Sequence, residues 1–253
     1  MNGKVRIDSS EGEDEIEHIF DGYPMQKKTL LLESPIAQLY LSPIISSLSE
    51  IGIFDFDPKL PKKTAPITGV TELASDGANL ALVLNRISTD GESKRAFLNL
   101  MRYMLPFVHR MDVSKVADKS MYFTLRETYA RNFELPASLL SDGTVNITAL
   151  IVALYFEKNK LVVIEEPERN VHPALMSKTV EMMKEAAQKK QIIATTHNPE
   201  LIRHVDLEDI LLVCRDESGR SVVIRPAQSE DVQTFLENDF QISDLFVDNL
   251  LEV

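Results

Sequence analysis

Apolar positions recur along this chain with two different periods, and the changes between them mark its elements. Residues 161–164, Leu-Val-Val-Ile, form an apolar run without alternation that ends in Glu165 and Glu166. An unbroken run of that kind predicts a strand buried on both faces of a parallel sheet. Residues 191–196 repeat the design and lead into His197. Between the two runs, residues 173–190 carry Leu175, Val180, Met183 and Ala187 on one side and lysines at the end, which predicts an amphipathic helix whose cations favour its C-terminal dipole. Strand, helix, strand in that order implies a parallel sheet joined by right-handed crossovers.

Upstream, residues 4–7 and 29–32 read as short strands, and residues 11–17 as an acidic, solvated segment. Residues 36–51 have an approximately helical period interrupted by Pro43, and residues 51–56 return to strand character. Residues 57–69 hold Pro58, Pro61, Pro66 and three lysines with little apolar content, so they read as a linker. Helices are expected over 79–87 and 94–108, and a strand over 121–127. Residues 145–156 are rich in Ile, Leu, Ala and Val, which predicts a buried helix. Residues 210–214 and 221–224 flank a hairpin-type turn, and two short helices finish the chain.

Composition narrows the picture. The 253 residues are 44% hydrophobic and 26% charged, enough for a real core. A net charge of −12 argues against a broad nucleic-acid surface, leaving room for a local patch, of which Lys94, Arg95, Arg102, His109 and Arg110 are the best candidate. The single Cys214 sits in an apolar run and is expected to pack in the core. With no signal peptide and no membrane-length apolar run, the expected setting is soluble, reducing and cytoplasmic, with no membrane partner.

The candidate chemistry gathers where the apolar runs end. Glu165 and Glu166 stand at the carboxyl end of a predicted parallel strand, where open α/β sheets bind their ligands, and Pro167 holds them at a fixed exit. Upstream lies Leu-Ser-Asp-Gly-Thr at 140–144, and downstream Thr-Thr-His-Asn-Pro at 195–199. A Ser-Asp-Gly turn opening a helix offers a hydroxyl, bare backbone and N-terminal amides, all favourable to an anion and equally suited to a simple cap.

LSDGT, then an apolar strand ending in EEPE, then a second ending in TTHNP, resembles in that order the carboxy-terminal half of an ABC-type ATPase. The nearest branch is the RecF/SMC-like, predicted AAA-type ATPases of the OLD/RecF kind. The resemblance implies an α/β, P-loop NTPase-type fold: a mostly parallel sheet flanked by helices, with a helical insertion. Residues 1–57 would be the remainder of an amino-terminal lobe, 58–130 a linker and helical subdomain, and 131–253 the carboxy-terminal lobe. It further implies the cofactors ATP and Mg²⁺, with Glu165 on the metal, Glu166 orienting or deprotonating the attacking water, and His197 as a γ-phosphate switch. Ser141, Asp142, Gly143 and Thr144 would form the signature, and Asn170 would belong to a D-loop of Glu168, Arg169 and Asn170. In such a family the signature closes over ATP held by another subunit. A homodimer or a P-loop-bearing partner is implied, with DNA as a further partner in repair, chromosome maintenance or phage defence.

Two residues depart from the family pattern: Asn146 stands where relatives often carry a basic residue, and His-Asn-Pro replaces His-Ser-Pro. The sequence also contains no G-x-x-x-x-G-K-[ST]. Without that cradle and its lysine the chain alone is expected to be inactive and to bind ATP weakly. The alternative expectation is a binding or regulatory module that presents its signature face to an ATP-loaded partner.

Overall fold

The computed structural model describes residues 48–252 apart from Thr71, Glu217, Asp239 and Asn249. The chain divides into two compact units, residues 1–50 and 51–253, and the second is described here. The strands expected at 4–7 and 29–32, the acidic segment at 11–17 and nearly all of the helix expected at 36–51 lie outside the described residues.

Three parallel strands form the sheet that carries the acids, in the order β1 (Ile51–Phe54), β6 (Leu161–Glu165), β7 (Gln191–Thr195). Pairing is in phase across all three, so Ile53, Val163 and Ile193 stand in one row and Glu165 stands beside Thr195. Only one face is a core. Val162 and Ile164 are fully buried, whereas Ile53 is 64% and Ile193 44% exposed. The expectation of burial on both faces of β6 is corrected accordingly.

Helix α3 (Asp142–Tyr155) shares one core cluster with Val162 and Ile164, and it starts at Asp142, three residues before the sequence suggests. Every residue from Thr144 to Leu154 in it is buried, so α3 is a central rod of the molecule rather than an amphipathic surface helix. Its other neighbours include α2 (Gly91–Met104) and α4 (Met176–Ala187), and α2 packs in turn on α1 (Leu80–Thr89). Full burial of each Leu or Ile contributes roughly 1.5–3 kcal/mol, so the core holds α3 in place, while its first residue follows the Ser141 cap, worth about 1 kcal/mol.

A second sheet, which the sequence reading lacked, is antiparallel. A hairpin of β3 (Val108–Val116) and β4 (Ser120–Glu127) is extended by β2 (Ala65–Pro66) and β5 (Leu135–Pro136), both on β4. Helices α1 and α2 pack on β3, and the expected helix at 94–108 therefore ends at Met104. Pro106 cannot continue it. Past β7 come α5 (Pro199–Ile202), the hairpin β8 (Leu212–Arg215) with β9 (Ser221–Ile224), then α6 (Glu230–Glu237) and α7 (Ile242–Val247) around a small cluster of their own. Cys214 is only half-buried on that hairpin, not in the core as expected.

Candidate functional site

The parallel register delivers Glu165, Glu166 and His197 to one end of one sheet. Glu165, the last residue of β6, is exposed. The next amide turns back onto β7: Glu166 N donates to the Thr195 carbonyl at 3.0 Å. Glu166 itself has φ +43°, a left-handed conformation that costs a side-chain-bearing residue about 1–2 kcal/mol. Asn170 closes the same turn at φ +61°, which Asn tolerates well. The segment from Glu166 to Asn170 is thus a tight, strained turn between two left-handed residues, braced inside by Arg169 N to Glu166 O at 2.9 Å.

Arg169 organises the surroundings of Glu166. Its Nε donates to a Glu166 carboxylate oxygen at 3.0 Å, and its Nη1 donates to Asp55 at 2.7 Å and to the Phe56 carbonyl at 3.2 Å. The exit of β1 is thereby tied to the turn after β6. Next to Arg169, Glu168 is buried, and one carboxylate oxygen accepts the Thr196 hydroxyl. Burial holds its carboxyl above the usual range, with the Glu166 charge adding to the effect and the Thr196 hydrogen bond and His197 opposing it.

The start of α3 is packed against this turn. Ser141 caps the helix, its Oγ accepting from Thr144 N at 3.2 Å and lying 2.8 Å from the Thr144 hydroxyl. Asp142 forms an ion pair with Lys62, just ahead of β2, placing a carboxylate at the positive end of the helix. Gly143 lies so close to the turn that a Cβ there would collide with the Asn170 carbonyl. Asn146 then donates from Nδ2 to the Arg169 carbonyl. The departure noted at this position is therefore a tether, made to a residue 23 positions away.

All eight residues expected in the site lie on three connected segments, two sheet-end turns and the start of α3. The sequence gives no role to Asp55 and Lys62, and gives Glu168 and Arg169 only membership of the D-loop. For Glu168 a signal existed in the third acid of EEPE. The basic neighbourhood on α2 and β3 stays at the surface but is engaged within the chain: Lys94 and Arg110 pair with Asp112, and Arg102 donates to the Val108 and His109 carbonyls. Among the described residues no group of three or more His, Cys, Asp or Glu side chains is arranged to hold a metal, and no helix is long and apolar enough to cross a membrane.

Residues 67–203 match a family model described as "AAA domain, putative AbiEii toxin, Type IV TA system". No curated protein matches the chain. Among solved structures it is similar to the Smc head bound to the C-winged helix domain of ScpA, at 15% identity and TM-score 0.48, covering 70% of this chain and 55% of that one. A Pyrococcus furiosus Smc head domain with an extended coiled coil, bound to the C-terminal domain of ScpA, is 14% identical at TM-score 0.43, covering 63% and 43%. A structure from work on ATP-driven dimerization and DNA-stimulated activation of SMC ATPases is 12% identical at TM-score 0.44, covering 60% and 96%. The chain thus spans about half the length of the first two structures it matches.

Proposed function

Since the chain belongs to the family of AAA domains described as "putative AbiEii toxin, Type IV TA system", we propose that it is an ATP-binding and ATP-hydrolysing module of RecF/SMC type. It works as a nucleotide-sandwiched dimer, with a P-loop contributed from outside these 253 residues, and its role is in phage defence, DNA repair or chromosome maintenance. The observation that carries this reading is the delivery of Glu165, Glu166 and His197 to one sheet end, with the start of α3 packed against the same turn. Hydrolysis in this site forms a bond from water oxygen to the γ-phosphorus and breaks the bond to the bridging oxygen. Glu166 accepts the water proton, and His197 donates to the γ-phosphate oxygens. The exposed Glu165 carboxylate is the donor suited to Mg²⁺, which when bound supplies charge neutralisation at the phosphates. Ser141 to Thr144 would close over nucleotide held by the other subunit.

ATP turnover, measured with and without a P-loop-bearing partner polypeptide and with Glu166→Gln as control, tests this. Turnover that requires the partner and falls at least about 100-fold in the mutant is the expected result. A second reading, a binding module without hydrolysis, is favoured by one observation: Ser141, Asp142 and Glu166 are all engaged within the chain, by Thr144, Lys62 and Arg169. No turnover in either mixture would favour it.

A further inference from the structure

The loop carrying His197 is pinned to the turn carrying Glu166, and the pin passes through a carboxylate that the proposed hydrolysis leaves without a task. Glu168 is 7% exposed. Its Oε1 accepts the Thr196 hydroxyl, and the same hydroxyl oxygen accepts the Asn198 amide at 3.0 Å. Both neighbours of His197 in the chain therefore hang on Glu168. Its second oxygen, Oε2, is buried with no hydrogen-bond partner among the described residues.

Such a carboxylate is a poor way to build a core. An incompletely paired buried acid costs free energy that an apolar residue of the same size would not. Backbone pairing already holds the near side, where Glu166 N meets the Thr195 carbonyl. Past Thr195 the strand ends, and the Glu168 bond is the next tie that fixes residues 196–198 against residues 166–170. Unstable in itself and aimed at one loop, Glu168 has the features of a group retained for geometry.

We propose that Glu168 is a positioning residue for nucleotide hydrolysis, setting through Thr196 the separation of His197 from Glu166. This rests on the ATPase reading above. Thr196→Val and Glu168→Ala remove the pin, whereas Thr196→Ser and Glu168→Gln keep a donor and an acceptor in place. In the 253-residue chain, amide hydrogen exchange at Asn198 should speed up about tenfold or more in the first pair and stay near wild type in the second. In the partner-activated ATPase, kcat should fall roughly 10- to 100-fold in the first pair with KM changed less than about threefold, as expected when a reacting group is displaced by about 1 Å. The Ser and Gln variants should keep at least about a third of wild-type kcat. Unchanged Asn198 exchange in Thr196→Val overturns the proposal, as does unchanged kcat in the disrupted pair, or Ser and Gln variants as slow as Val and Ala. A wild-type protein without turnover sinks the ATPase reading instead, and the exchange data then decide the pin by themselves.

Discussion

Arg169 engages Glu166 directly, Nε to carboxylate at 3.0 Å, while its other guanidinium nitrogen holds Asp55 at 2.7 Å. The acid assigned to the attacking water thus has its orientation set by a cation anchored on a different strand. Both side chains are about a third exposed, at 33% and 37%, so the pair contributes on the order of 0–1 kcal/mol to stability. Replacing Arg169 by Met should shift the melting temperature by no more than a few degrees and lower ATP turnover at least about tenfold. A thermal melt and steady-state kinetics on one preparation check this, and a large stability loss with full activity would contradict it.

Gly143→Ala should destabilise the protein by about 1–3 kcal/mol, the ordinary cost of overpacking, because the added methyl meets the Asn170 carbonyl and the backbone must give. Gly91 is the internal control. Nothing lies within 4 Å of a Cβ there, and Gly91→Ala at the first residue of α2 should be neutral or stabilising by up to about 1 kcal/mol. Urea unfolding of the two variants measures the contrast.

The buried acids give stability a definite pH dependence. Burial raises the carboxyls of Glu168 and Glu157 above their unfolded range, although Arg86 partly offsets the effect at Glu157. A raised acid binds its proton more tightly folded than unfolded, so its contribution is full below the unfolded value and is lost as pH rises through the folded one. Glu168→Gln should therefore melt higher than wild type at neutral pH, and the difference should shrink as pH falls through the carboxylate range. Equal melting temperatures at neutral pH would contradict this.

ATP affinity is predicted to be weak for the 253-residue chain alone, because the residues present offer helix N-terminal amides and carboxylates rather than a glycine cradle with its lysine. Equilibrium titration with a fluorescent ATP analogue checks this. Saturable binding in the low micromolar range would show that the phosphates find another cradle.

What local pattern determines was legible. The runs at 161–164 and 191–195 became β6 and β7 because each is too apolar and too short for anything but a strand in a sheet. The Ser141 cap was visible as a Ser before a helical run, and the ends of the two apolar runs placed Glu166 and His197 at one sheet end. Strand β3 was hidden, since its pairing with β4 slips between Val108 and Arg110 and breaks the alternation that would have announced it. The Asn146 tether, the Lys62–Asp142 pair and the Arg169 clamp join residues 23, 80 and 114 positions apart, and no periodicity encodes them. Cys214 stays half-buried because β8 pairs with β9 alone and only Leu212 of the strand packs on the small C-terminal cluster.

The row of Ile53, Val163 and Ile193 across the parallel strands has a practical meaning for anyone handling the protein. Two isoleucines 64% and 44% exposed, on either side of a half-buried valine, make an apolar strip across the three strands. The −12 net charge repels over about a Debye length, so at high salt that strip is the less protected part of the surface. A single lysine at position 53 or 193 is then the economical route to a sample that stays clear on storage.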